Sequence, residues 1–198
     1  MFEKVKERLE ANGFAVTVFA AGEEAAAYLN REIDGVTVGM GGSVTLTQLG
    51  LKESLSAHNT LYCHGFTPGD PAGVRKLAAE AEVYLLSANG LAETGEIINI
   101  DGTGNRAASS LYGHRKVYFV IGKNKLAPDF HSALHRARNI AAPRNAQRLN
   151  RKTPCAVKGG RCYDCSSPER ICRGLVVLYQ KMTSMDMEVV LIDQELGY

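Results

Sequence analysis

The chain reads as an α/β protein, a mostly parallel sheet with helices on both faces and a cysteine-rich loop near its C-terminal end. Three observations predict this. Short apolar runs alternate with amphipathic or Ala-rich segments along most of the 198 residues. Several runs are apolar throughout, as in strands buried on both faces. Glycine-rich and polar turns separate them at the spacing of strand-helix-strand units.

Phe2, Val5 and Leu9 fall at helical spacing before an Asn12-Gly13 stop, and Phe14 to Phe19 follows as a strand. Glu23 to Arg31 is Ala-rich and helical. Gly35 to Gly39 is a short buried strand that runs out in Met40-Gly41-Gly42-Ser43, and one helical stretch follows from Ser43 to about Ser56. Thr60 to Cys63 is a strand, Pro71 to Glu82 a helix with proline in its first turn, and Val83 to Leu86 a strand. Glu96 to Ile100 and Lys116 to Ile121 add strands on either side of a helical segment from Asn105 to Tyr112, and a long helix runs from about Pro128 to Ile140. Residues 151 to 173 hold four of the five cysteines, two prolines and two adjacent glycines, so a loop or small knuckle is expected there. Gly174 to Tyr179 and Met187 to Ile192 then return to the sheet as two strands. The expectation is one domain over 1–198 with the knuckle inside it.

A hydrophobic content of 45% against 22% charged supports a sizeable core and excludes a disordered chain. No run of about 18 apolar residues occurs, so no bilayer span is expected. The N-terminal residues alternate charges over an apolar stripe and lack the apolar core of a secretion signal, which points to the cytoplasm. The net charge of +2 hides an asymmetry: residues 1–100 carry 7 Lys and Arg against 13 Asp and Glu, and residues 101–198 carry 16 against 8. Between Asp101 and Arg173 there are 15 bases and 4 acids, scattered among apolar residues and turns. That pattern suits a small anionic metabolite better than nucleic acid, which needs denser basic blocks or aromatic stacking surfaces.

Chemistry has three candidate seats. Gly41, Gly42 and Ser43 leave a buried strand and enter a helix, where free N–H groups attract an anion, or the segment is simply a tight turn. The spacing is neither the dinucleotide fingerprint nor the triphosphate loop. The second seat is Ser87 to Arg106, in which Asn89, Asn99, Gly102, Thr103, Gly104, Asn105 and Arg106 are candidate ligand contacts and Glu93 and Asp101 candidate general acids or bases. Alternatively, Asp101 and Thr103 cap a helix while Glu93 and Glu96 are solvated. The third is Cys155-x6-Cys162-x2-Cys165-x6-Cys172. A Cys-x2-Cys pair turns two thiolates onto one centre, and the flanking cysteines would complete a zinc site or hold an iron–sulfur cluster, with redox-active thiols, a disulfide or inert cysteines as the alternatives. Lys158, Arg161, Arg170 and Arg173 nearby favour thiolates.

Lesser features are His131 and His135, one helical turn apart, a spacing that suits a metal but with no third ligand in sight reads as a solvated face, and Cys63, a core thiol or a nucleophile beside His64. A basic stretch after Pro143 holds Arg144, Arg148, Arg151 and Lys152, and either reaches an anion or is solvated.

Gly39 to Gly50, Ser87 to Arg106, Val117 to Lys125 and Asn139 to Asn150, together with the cysteine-rich segment, resemble the lactate-utilisation (LUD) domain family. The resemblance implies a fold similar to the sugar-phosphate isomerase and CoA-transferase superfamily, whose glycine loop and Asp-Gly turn flank the active site. Gly41, Gly42 and Ser43 match the loop, and Asp101 to Gly104 match the turn. It implies a lactate-utilisation-like protein that binds a hydroxy acid or phosphorylated compound. Members linked to lactate oxidation act with iron–sulfur partner subunits, and this chain lacks the tandem ferredoxin motifs of the cluster-bearing subunit. The alternative expectation is a redox accessory with a cluster or structural zinc at the four cysteines, together with redox partner subunits or self-assembly.

Overall fold

The structure, a computed structural model, describes residues 2–198. The first half runs α1 (Glu3–Ala11), β1 (Ala15–Phe19), α2 (Gly22–Glu32), β2 (Thr37–Met40), α3 (Val44–Gln48), α4 (Leu51–Ser56), β3 (Thr60–Cys63), α5 (Pro71–Ala79) and β4 (Val83–Leu86). The hairpin β5 (Gly90–Ala92) and β6 (Ile97–Asp101) follows, then α6 (Asn105–Ser109), β7 (Lys116–Gly122) and β8 (Leu126–Ala127). The last part holds α7 (Phe130–Arg136), α8 (Ala142–Arg148), α9 (Pro154–Lys158), β9 (Gly174–Leu178) and β10 (Asp186–Ile192).

Six strands form one parallel sheet in the order β1-β10-β7-β4-β2-β3. Its central strands are apolar throughout because alternate residues feed two cores. Leu86, Val117, Phe119, Ile121 and Val189 pack toward α1 and the small sheet. Val83, Leu85, Val120 and Val190 pack toward α2, α3 and α4. The small sheet, β8-β5-β6-β9, lies on the first face and contributes Leu91 and Ile97 to that core. Its other side, Ile98 and Ile100, meets Ala133 and Ala137 of the α7 region in a third cluster.

Four local expectations need correction. The stretch from Ser43 to Ser56 is two helices, because Gly50 takes a left-handed conformation (φ 62°) that ends the first and starts the second. Of the two C-terminal strands, β10 joins the parallel sheet but β9 pairs with β6 in the small one. The cysteine-rich stretch contains a short helix, α9, begun by Pro154. The long helix does not stop at Ile140. A π-helical turn over Ala137–Ala141 joins α7 to α8 and relieves the clash that Pro143 would otherwise have with the carbonyl four residues earlier.

The chain leaves β2 outward to β3, then returns to β4 on the other side of β2. That reversal opens a crevice at the C-terminal ends of β2 and β4, where ligands of open α/β sheets bind.

Candidate anion site and cysteine pocket

The Gly42 bend after β2 and the Asp101 turn after β6 line one cavity of about 380 Å³. His64 after β3 and Asn89 after β4 line it too, so several loops at the C-terminal edge of the parallel sheet converge there. Its remaining walls come from α8, with Asn145 and Arg148, and from the tail, with Glu169, Arg170 and Arg173. Five arginines, at 106, 148, 151, 170 and 173, face two carboxylates, Asp101 and Glu169, in this lining. Glu169 is already occupied, accepting the Lys152 N–H at 2.9 Å.

Asp101 is 5% exposed and its carboxylate is fully engaged. Oδ1 accepts from the N–H groups of Thr103 (3.1 Å) and Gly104 (3.0 Å), and Oδ2 from that of Ala107 (3.0 Å). Arg106 Nε stands 3.6 Å from Oδ2. Burial opposes ionisation, but the Arg106 charge and the three N–H donors outweigh it and hold the carboxyl below its usual range. Asp101 therefore ties the turn and orients Arg106, whose guanidinium also donates to the Ile100 carbonyl at 2.6 Å. The Arg106 stem runs where a side chain at position 41 would be, 2.4 Å from an added Cβ, so Gly41 makes room for the arginine instead of touching the cavity.

Asn89, Gly102, Thr103, Asn105 and Arg106 line the cavity with Gly42, and Ser43 lines a smaller one beside it. Gly104 lies behind the turn, donating to Asp101. Asn99 is buried within β6, its Oδ1 without a hydrogen-bond partner among the described residues. Glu93 sits at the opposite end of the β5–β6 hairpin, where it pairs with Lys4 at 2.8 Å. Three residues of β5 separate it from the sheet edge that carries Asn89, too far along the strand to reach the cavity.

Sequence reasoning missed Lys125 outright. It is 4% exposed and lines the smaller cavity, about 50 Å³, which shares Gly42, Asn89, Arg106, Asn145 and Arg148 with the larger one. Its Nζ donates to Thr45 Oγ1 and Ser87 Oγ, each at 3.0 Å. Among the described residues it has no carboxylate partner. Burial first, then the Arg136 and Arg106 charges, push its pKa down to about 7. The only sequence signal was a lysine just past a fully apolar strand.

His64 is held below its usual range by burial and by Arg75, Lys52 and Arg106, so it enters the cavity as a neutral imidazole. Cys63 beside it is fully buried, and burial pushes its thiol up, which suits a core residue rather than a nucleophile. His131 and His135 are both exposed on α7.

Cys155, Cys162, Cys165 and Cys172, all free thiols, line a single small pocket between α8 and the tail. Asp164 N–H donates to Cys162 Sγ at 3.3 Å, and Arg170 Nε to Cys172 Sγ at 3.2 Å. Among the described residues no group of three or more His, Cys, Asp or Glu side chains is arranged to hold a metal ion. The tail also closes the arginine-lined cavity: Arg173 N–H donates to the Asp101 carbonyl at 3.0 Å, and the Ile171 carbonyl packs on Gly102. Arg170 lines both the arginine-lined cavity and the cysteine pocket. No helix among the described residues is long and apolar enough to cross a membrane.

A family model described as the LUD domain matches residues 2–192. The crystal structure of a DUF162 family protein from Deinococcus radiodurans, at 1.70 Å resolution, matches with a TM-score of 0.57 and 12% identity over 96% of this chain and 95% of that one, a likeness of fold. No curated protein matches the chain.

Proposed function

Starting from the fact that this chain belongs to the LUD domain family, we propose that it is a lactate-utilisation-like protein that binds a small anionic metabolite in the cavity between the Gly42 and Asp101 bends. The observation that carries this reading is the excess of arginine over carboxylate in one lining. Arg106, pre-oriented by Asp101, and Arg148, held by donation from Nε and Nη2 to Asn145 Oδ1 at 3.1 and 2.8 Å, each keep further guanidinium N–H groups of the kind that hold carboxylates and phosphates. Gly42, Ser43, Asn89, Thr103 and Asn105 add polar contacts. A volume of about 380 Å³ suits a phosphorylated compound and leaves room around a bare hydroxy acid. Asp101, ionised and saturated with donors, serves this site by positioning Arg106. Melting temperature measured with 2-hydroxy acids and with sugar phosphates tests the proposal: a rise with at least one class at millimolar concentration is expected, and no rise with any anion would count against it.

A second reading, a redox accessory with an iron–sulfur cluster, is favoured by one observation: all four tail cysteines line the same pocket, with N–H donors on two of the sulfurs. The Arg138 and Arg170 guanidiniums in that lining would offset the negative charge that four thiolates leave on a bound cluster, as they would on a zinc site with the same four ligands. A cluster also spreads its sulfur ligands wider than one zinc does. Iron and acid-labile sulfide assayed after anaerobic purification, with visible absorption, test this. A colourless protein holding stoichiometric zinc contradicts it.

A further inference from the structure

We infer that Lys125 is a reactive amine that forms an imine with the ketone of a 2-oxo acid whose carboxylate is held by Arg106 and Arg148. This deepens the anion-binding reading and rests on it. The geometry is specific. Lys125 is buried and lines the smaller cavity, and residues close to its Nζ, Thr45, Ser87 and Gly197, line that cavity as well. Two of its protons go to hydroxyl oxygens, which leaves one position on nitrogen uncommitted. No carboxylate neutralises it, unlike Lys123 two residues earlier, which pairs with Asp193 at 2.9 Å. A buried ammonium without a counter-ion is costly, so a substantial fraction of the amine is neutral and nucleophilic near neutral pH. An amine beside two guanidiniums in a space of about 50 Å³ fits a small molecule carrying a carbonyl next to a carboxylate.

The step balances without a redox partner. The Nζ lone pair attacks the ketone carbon and forms the C–N bond. One of the two amine protons passes to the carbonyl oxygen to give the carbinolamine, and that hydroxyl leaves as water with the second as nitrogen forms C=N. Thr45 Oγ1 and Ser87 Oγ, 3.3 Å apart, lie within reach to relay those protons.

The test uses the full chain, pyruvate as the smallest 2-oxo acid, and cyanoborohydride, whose hydride reduces an imine to a stable secondary amine. Peptide mapping by mass spectrometry reads where the adduct forms. The expected result is labelling at Lys125 at least about tenfold above any other lysine, suppressed by inorganic phosphate and absent with propionate, which has no ketone. Lys125→Met should lose that label. Labelling spread evenly over exposed lysines, or none at all while phosphate still raises the melting temperature, overturns the imine and leaves anion binding standing. No response to phosphate and no label would remove both. Because the map is made on the unaltered chain, the inference stays testable even if the variant fails to fold.

Discussion

Strand β7 buries six of its seven residues between two apolar layers, whereas residues 151–173 bury Thr153 alone. The tail is instead held by guanidinium contacts: Arg170 donates to the carbonyls of Cys165 (2.7 Å) and Cys172 (2.9 Å), and Arg138 reaches Asp164 at 3.2 Å. The difference teaches which part of the molecule follows from hydrophobic burial and which from polar and thiol chemistry. The parallel sheet is set mainly by apolar area, with one buried carboxylate, Glu188, paired to Lys116 at 2.8 Å. The tail has little such area, so anything bound by its four cysteines has unusual leverage over its order. Between the two lies the arginine-lined cavity, with sheet-end loops on one side and the tail on the other.

The sharpest way to break this contrast is Phe119→Ala. Phe119 is fully buried at the centre of the first core, and its truncation should cost about 3–5 kcal/mol in denaturant unfolding. A loss below about 1 kcal/mol would mean that the sheet is not held as described.

Next in size is the pH dependence carried by Lys125. Its folded pKa of about 7 lies below the ordinary 10.5, so between those values the unfolded chain binds the extra proton and the folded one does not. Stability should therefore rise with pH through that window, by up to about 5 kcal/mol from this residue, and the full penalty applies below pH 7. Lys125→Met removes the penalty. The difference between unfolding free energies of the variant and the unaltered chain should shrink as pH climbs, and a constant difference would contradict an uncompensated buried amine.

The smallest expected global effect is that of Arg170→Ala. Overall stability should change by less than about 1 kcal/mol, while amide exchange across residues 151–173 quickens and exchange in β7 does not. Equal quickening in both regions would erase the contrast between them.

The same contrast explains what was legible in the sequence. The central strands, including Val83 to Leu86 and Lys116 to Ile121, could be read because both faces are buried and the apolar runs are unbroken. Short β5 and β8, three and two residues long, leave no periodic signal, and nothing local tells β9 which sheet to join. The extent of the α7–α8 helix was hidden because Pro143 ordinarily ends a helix, and only the π-turn before it shows why this one continues. Asp101 and Arg106 were legible as a polar turn after an apolar strand. Glu93 was grouped with them by nearness in sequence, but the hairpin sends it to the far end. Lys125 was invisible because burial of a lysine depends on how distant loops close over it, here Thr45, Ser87 and Gly197.

The most direct test of the arginine-lined cavity is isothermal titration of inorganic phosphate at low ionic strength against the unaltered chain, Arg106→Ala and Arg148→Ala. The account predicts saturable binding that weakens about tenfold or more in each variant and fades with added salt. Equal affinity in all three proteins, or no binding to the unaltered chain, would contradict it.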